Sequence, residues 1–275
     1  MDFFANILRI LDTQMETPVP YGWFHILSLV LTFGIAVFLC ATHKKASSKR
    51  VLNVVFYTAI TVALLEVYKM INFGFSYENG VSFDMPWSSF PWQFCSTPMY
   101  VGLLAGIIRK GKVHESLCAY LATYAVFAGV CVMVYPTSVF IGAIGINIQT
   151  MVCHGSMIYV GIYLLYSGYV KLHFKTLLKA IPVFAVTLGI AVIMNEVAYY
   201  SGLLETDSFN MFYISPHQPP HLPVYSLVQE AVAYPWSLIL YIGGFTLASF
   251  LILAIAMLVK KAASTFVPTQ QKIHA

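Results

Sequence analysis

Charge is what this sequence has least of. Only 9% of its 275 residues are Asp, Glu, Lys or Arg, against about a quarter in an ordinary soluble domain. That leaves too little polar side chain to coat a water-soluble globule, which excludes a soluble enzyme and a nucleic-acid-binding protein. The 59% hydrophobic content excludes a disordered chain. The five cysteines, Cys40, Cys95, Cys118, Cys131 and Cys153, include no Cys-x-x-Cys pair, are irregularly spaced and odd in number, so neither a disulfide framework nor a zinc ribbon is expected. The opening Met1-Asp2-Phe3-Phe4 has no basic residue, and the first apolar run is followed by Lys44 and Lys45 rather than a small-residue cleavage site. That run is therefore expected to stay as an anchor. No internal repeat or low-complexity tract stands out.

Long apolar runs are what remains, and the mean hydropathy is +0.76. A membrane-spanning helix needs ~20 mostly apolar residues, and seven such runs are read, approximately 21–42, 51–73, 91–108, 114–134, 148–167, 176–200 and 235–259. They predict an all-α polytopic membrane protein of seven transmembrane helices, forming a single integral membrane domain over residues 1–275. Ahead of them, Phe3, Phe4, Ile7, Leu8 and Leu11 recur at helical spacing, which suits a short helix lying on the membrane surface; a disordered tail is the alternative.

Apart from Arg9 ahead of the first span and Lys69 within the second, Lys and Arg fall in alternate loops and the tail. Lys44, Lys45, Lys49 and Arg50 fall in the first, Arg109, Lys110 and Lys112 in the third, Lys171, Lys175 and Lys179 in the fifth, and Lys260, Lys261 and Lys272 in the tail, while 74–90, 135–147 and 201–234 have none. By the positive-inside rule the N-terminus is outside and the C-terminus cytoplasmic, in the cell membrane, and Trp23, Trp87, Trp92 and Trp236 form an outer aromatic belt. The formal net charge of +4 is thus topological. The outer loop 201–234 carries Pro216-His-Gln-Pro-Pro-His-Leu-Pro223, and its length and stiffness suggest a lid, a floppy solvent loop being the alternative.

Polar residues at membrane depth are expensive and mark interiors or wet cavities. Counted inward at about 1.5 Å per residue, His25, Glu66, Lys69, Cys95, His154, Asn195 and Glu196 all fall in the outer half, which predicts one polar cavity opening outward. Within that set Glu66 and Lys69 sit at i, i+3 and are expected to neutralise each other. His25 has the standing of a hydrogen-bonded core histidine, and Asn195 suits either a helix cross-link or a substrate contact.

Cys95 follows Ser88-Ser89-Phe90-Pro91, where a serine cap and a first-turn proline suggest a helix start, and a thiol near a helix N-terminus gains thiolate character. Cys95, Gly102 and Gly106 share a helical face, the glycines forming a small-xxx-small contact surface. His154 is expected at a similar depth near another helix start, where the neutral base form is favoured. A thiol and a neutral base at one depth are the parts of a nucleophilic dyad; packing cysteine plus structural histidine is the plainer reading. Cys95 and Cys153 could instead pair if the outer side is oxidising, and a zinc site from Cys95, His154 and His25 is conceivable by ligand type, though no tight spacing supports it.

Pro91-Trp-Gln-Phe-Cys95 resembles the Leu-Pro-Leu-His-Leu-Cys-Asp segment of the YwaF-like bacterial integral membrane proteins, which are related to the animal transmembrane protein 164. Cys153-His154-Gly155 resembles that family's Ser-His-Gly, and Asn195, Asn210-Met-Phe-Tyr213, Ser226-Leu227 and Pro235-Trp236 follow in the family's order, so the resemblance covers roughly 91–241. It implies a lipid acyltransferase with a cysteine and a histidine in roles that fall on Cys95 and His154. Gln93 stands where the family has histidine, and Ser96 where it has aspartate. The expected function is therefore acyl transfer or ester hydrolysis on a membrane lipid through an acyl-enzyme, with Gln93 or Asn195 as oxyanion donor and no cofactor or metal. A small-solute transporter or receptor, using Glu66, Lys69 and Glu196, is the alternative.

Overall fold

The computed structural model describes residues 2–43, 48–77, 80–202, 209–219 and 222–266. The chain is helical through most of its apolar runs. After a surface helix, α1 (Asp2–Leu11), come α2 (Trp23–Ala41) and α3 (Ser48–Gly74), then a two-stranded hairpin, β1 (Phe75–Ser76) with β2 (Ser82–Phe83). There follow α4 (Thr97–Ile108), α5 (Gly111–Leu121), α6 (Tyr124–Val134), α7 (Ile144–Tyr166), α8 (Lys175–Ser201), a short α9 (Pro223–Ala231) and α10 (Trp236–Phe266). Among the described residues six helical stretches are long and apolar enough to cross a membrane, with α5 and α6 counted as one stretch; α4 is apolar but shorter.

The surface helix expected before the first span is present. Phe3, Phe4, Ile7 and Ile10 are exposed on it while Leu8 is buried. Its end is tied to the C-terminal part of α3: Leu11 O accepts from Tyr68 Oη at 2.5 Å and from Asn72 Nδ2 at 3.4 Å, and the Tyr77 hydroxyl donates to Asp12 at 2.8 Å.

Helix α7 lies at the centre and packs against α2, α3, α5 and α6. Missing side chains make this possible, since close approach between membrane helices depends on small residues. A Cβ on Gly155 would lie 2.3 Å from Thr32 Oγ1 of α2, and one on Gly161 2.0 Å from Val126 Cγ2 of α6. Across from α7, Gly129 of α6 faces the His154 carbonyl oxygen, 2.6 Å from where a Cβ would stand. The Gly102 and Gly106 surface is likewise used: it packs on Ala59 and Phe56 of α3.

Two boundaries differ from expectation, and both matter for the site. The third apolar run does not become helical at Pro91. Phe90 is extended (φ −51°, ψ 135°), as a residue before proline prefers, and 91–96 forms irregular turns until Ser96 caps α4, whose first turn contains Pro98. The fourth run breaks between α5 and α6. Thr123 (φ −131°, ψ −81°) turns its hydroxyl back to Ala119 O at 2.7 Å, a local bond that competes with the helix ladder. Non-helical backbone at this depth is tolerated only where protein covers it or it lines a cavity. Thr123 is fully buried.

Candidate functional site

The two breaks and the middle of α7 converge. Cys95 lies two residues ahead of α4 rather than in its first turn, and is partly exposed. Its carbonyl oxygen accepts a weak hydrogen bond from Cys153 Sγ at 3.8 Å. Both thiols are free, and both line one small cavity between α3, α4 and α7. Cys95 also lies within electrostatic range of Lys69 and Glu66.

Those two charges form the pair expected from their spacing, and the structure extends it. Lys69 Nζ donates to Glu66 Oε1, while Glu66 Oε2 accepts from Gln149 Nε2 at 2.9 Å. Gln149 Oε1 in turn accepts from Thr150 Oγ1 at 3.3 Å, and the Thr150 carbonyl accepts from His154 Nδ1 at 2.7 Å. A buried chain of polar groups thus runs from α3 across to His154, a full charge with paired neighbours at one end and an imidazole at the other.

His154 sits well inside α7 and not at its start. Because its Nδ1 faces a carbonyl, Nδ1 carries the proton, and in the neutral ring Nε2 keeps its lone pair. That nitrogen is buried and has no hydrogen-bond partner. No hydrogen bond joins His154 to Cys95; Cys153, one residue earlier and a third of a helical turn away, makes that contact instead.

The other expected site residues fall into three separate places, and none of them is hydrogen-bonded to the Cys95 thiol. His25 is fully engaged: Nδ1 accepts from Tyr21 N at 2.9 Å and Nε2 donates to Met133 O at 3.0 Å, tying α2 to α6. Glu196 pairs with His217 at 3.1 Å, whose ring stacks on Tyr199 at 3.6 Å, in a partly exposed cluster of its own. Gln93 and Asn195 grip the loop after α8. Gln93 donates to Asn210 O at 3.0 Å and accepts from Phe212 N at 2.9 Å; Asn195 donates to Met211 O at 3.0 Å and accepts from Met211 N at 2.7 Å. Each amide gives its oxygen and one N–H to loop backbone, so both residues hold that segment in place.

The gripped segment is buried. Met211 and Phe212 have no exposed surface and Ile214 has 1%, so this part of the loop after α8 is a plug set between helices. Phe212 (φ 58°) and Tyr213 (φ 56°) are both left-handed, a conformation costing roughly 1–2 kcal/mol per ordinary residue that the two amide clamps hold in place. Residues 203–208 and 220–221 of the expected lid lie outside the described residues.

Three participants went unseen in the sequence. Gln149 is one turn before Cys153, and that i, i+4 relation was the available signal. Tyr120, whose hydroxyl hydrogen-bonds to Thr97 Oγ1 at 2.7 Å, and Tyr241 look like packing aromatics in apolar helices. Yet the Tyr241 hydroxyl is buried without a partner, and Tyr120, Tyr213 and Tyr241 all lie within electrostatic range of Cys95. Among the described residues no cluster of three His, Cys, Asp or Glu side chains is arranged to hold a metal ion.

A bundle of apolar helices around a thiol, an imidazole and a paired internal charge defines a multi-pass helical membrane protein with a polar cluster in its interior. The family profile described as the TMEM164 family matches residues 20–258. The chain belongs to that family. No curated protein and no solved structure matches it.

Proposed function

We propose that the protein is a membrane-embedded lipid acyltransferase or lipid ester hydrolase in which Cys95 is the nucleophile and His154 the base. The observation that carries this reading is the partnerless Nε2 of His154. A buried acceptor without a partner costs about 1–3 kcal/mol and calls for an explanation. A ring whose other nitrogen is held by a carbonyl, on the residue next to the one that touches Cys95, supports the role of base. Substrate entry would draw the thiol and imidazole together, as catalytic hydrogen bonds often tighten only with substrate bound.

The Cys95 S–H proton passes to His154 Nε2 as sulfur attacks the ester carbonyl carbon and a C–S bond forms. Collapse of the tetrahedral intermediate breaks the ester C–O bond, and His154 returns the proton to the departing alkoxide. Water or an acceptor alcohol then attacks the thioester by the same proton path in reverse. The Tyr241 hydroxyl, rather than Gln93 or Asn195, is the donor we assign to the oxyanion. The transporter reading has less to rest on, since Glu66 and Lys69 satisfy each other and the cavity beside Cys95 is largely apolar.

The same reading includes the finer topology. Helix α4 would span only about 18 Å at 1.5 Å per residue, and the turns at 91–96 complete its crossing as a seventh span. The Lys- and Arg-rich loops then face the cytoplasm of a cell membrane, with the N-terminus outside.

Purified protein incubated with a phospholipid carrying a labelled acyl chain should form a hydroxylamine-labile thioester that maps to Cys95. Cys95→Ala should abolish it, and His154→Ala should slow it by roughly 10²–10⁴. Label on Cys153 alone, or turnover retained in Cys95→Ala, would overturn the assignment.

A further inference from the structure

A carbonyl held at Cys95 brings an aliphatic chain with it, and the cavity beneath the thiol has the character of a place for one. Its α3 wall is Val55, Ala59 and Val62, and its α7 wall is Cys153, Met157 and Val160. Each set recurs at i, i+4, i+7, so two helices independently give it a length of about 10 Å along their axes. Helix α3 runs opposite to α7, because Glu66 meets Gln149 at one end and Thr58 meets Tyr159 nearer the other. Cys95 and Cys153 therefore cap the Val62 end, and the cavity runs from them toward Val55 and Val160.

The polar atoms in its walls are not directed at a polar ligand. Ser156 Oγ bonds back to Cys153 O at 2.7 Å, and Thr58 Oγ1 takes the Tyr159 hydroxyl at 3.3 Å. A cavity with its hydroxyls satisfied internally suits apolar contents. Its volume of about 30 Å³ admits little more than a water-sized molecule, so a chain must push the walls apart. Met99 and Met157 are there to yield, being unbranched and adaptable.

Thr58 has a second face. It also lines a groove between α2 and α3, about 370 Å³ in volume, with Ile35, Leu39, Val54, Tyr57 and Tyr159. Tyr57 and Ile35 are exposed there on apolar helices. Thr58 is thus common to the interior cavity and the groove, and its hydrogen bond to Tyr159 is longer than the usual 2.7–2.8 Å for two hydroxyls.

We propose that this cavity is the acyl-chain site of the enzyme, and that chains too long for it leave past Thr58 and Tyr159 into the α2–α3 groove. The occupant is the fatty acyl chain of the ester that Cys95 attacks, so the inference rests on the acyl-transfer reading and adds to it where the chain lies. Carbon–carbon bonds of about 1.5 Å zigzag to roughly 1.3 Å of advance per carbon. The cavity length therefore takes roughly the first eight carbons. Shorter chains end inside; longer ones need the gap between Thr58 and Tyr159.

Two measurements test this on the full chain. In the first, thioester formation at Cys95 is followed with octanoyl and palmitoyl phospholipid donors in Thr58→Trp. The palmitoyl reaction should fall roughly tenfold or more, with the octanoyl reaction little changed; an equal effect on both would overturn the exit path. In the second, Cys95→Ala protein is irradiated with a phospholipid carrying a diazirine near the end of its acyl chain. Labelling should fall on Tyr57, Thr58 or Tyr159, and labelling confined to other helices would overturn the site even if Thr58→Trp fails to fold. Because this arm needs no thioester, correct labelling with no acylation in wild type would discard the Cys95 mechanism and keep the chain site, whereas acylation with labelling elsewhere would do the opposite.

Discussion

Asn195→Ala tests the plug most directly. In the native chain the Asn195 amide satisfies both backbone groups of Met211, donating at 3.0 Å and accepting at 2.7 Å, where Met211 has no exposed surface and Asn195 has 2%. Alanine leaves a buried N–H and a buried C=O with no partner, at about 1–3 kcal/mol each, or roughly 2–6 kcal/mol together. At ~2–4 °C per kcal/mol for a chain of this size, Tm in detergent should fall by roughly 5–20 °C. Asn195→Asp should do almost as badly, because it sets a second acceptor against Met211 O. The companion change Gln93→Ala releases Asn210 and Phe212 of the same segment, so the two effects should not add: once the first clamp is lost, the left-handed strain at Phe212 and Tyr213 drives the segment out and the second clamp has little left to hold. Thermal melts of the single and double variants, with hydrogen exchange at 211–213, measure both points. A Tm within about 2 °C of wild type with exchange unchanged, or strict additivity, would refute the clamp.

Glu66→Gln should destabilise by about 3–5 kcal/mol, because it strands the Lys69 ammonium at 15% side-chain exposure. The neutral double variant Glu66→Gln/Lys69→Met should recover most of that in the same melt; equal losses in both would show that the charges are not a unit. Gly129→Ala places a Cβ 2.6 Å from the His154 carbonyl oxygen, an atom that cannot rotate away, so α6 and α7 must part at a cost of roughly 1–3 kcal/mol or more. Gly243→Ala, with nothing within 4 Å of its Cβ, serves as the neutral control. For orientation, a cysteine at Ser82 in a background without the native five should react with an impermeant maleimide on intact cells and one at Lys112 should not. The reverse pattern would invert the topology.

Hydrophobic run length made the spans legible, because a bilayer selects for it directly. The breaks were not legible. Pro91 looked like a first-turn proline, but Pro98 holds that place, and Thr123 in an apolar run gives no sign that its hydroxyl will displace a helix bond. At the site, depth along the helices brought Cys95, Glu66, Lys69 and His154 into one neighbourhood, which is what counting residues can do. It could not tell which way a side chain faces around its helix. That angle decides that Cys153 rather than His154 touches Cys95, and that Gln93 and Asn195 serve the loop backbone. Tyr241 was invisible for another reason: a tyrosine in an apolar helix reads as packing until its hydroxyl is found with no partner.

Helix α10 is held mainly by rings. Phe245 meets Phe94 at 5.0 Å and Phe127 at 5.3 Å, Tyr241 stacks on it at 4.0 Å, and one side-chain hydrogen bond, from Tyr124 to Thr246 at 2.8 Å, joins α10 to α6. Chains are made from the N-terminus onward, so during biosynthesis α6 and α8, against which α10 packs, are made before α10 arrives to cover them. The nascent bundle is therefore open to lipid along the flank that α10 will occupy, and lipid must drain from that flank as the aromatic contacts close. The oxyanion donor proposed at Tyr241 comes with the same helix, so on that proposal a nascent chain would hold Cys95 without the group that stabilises the tetrahedral intermediate.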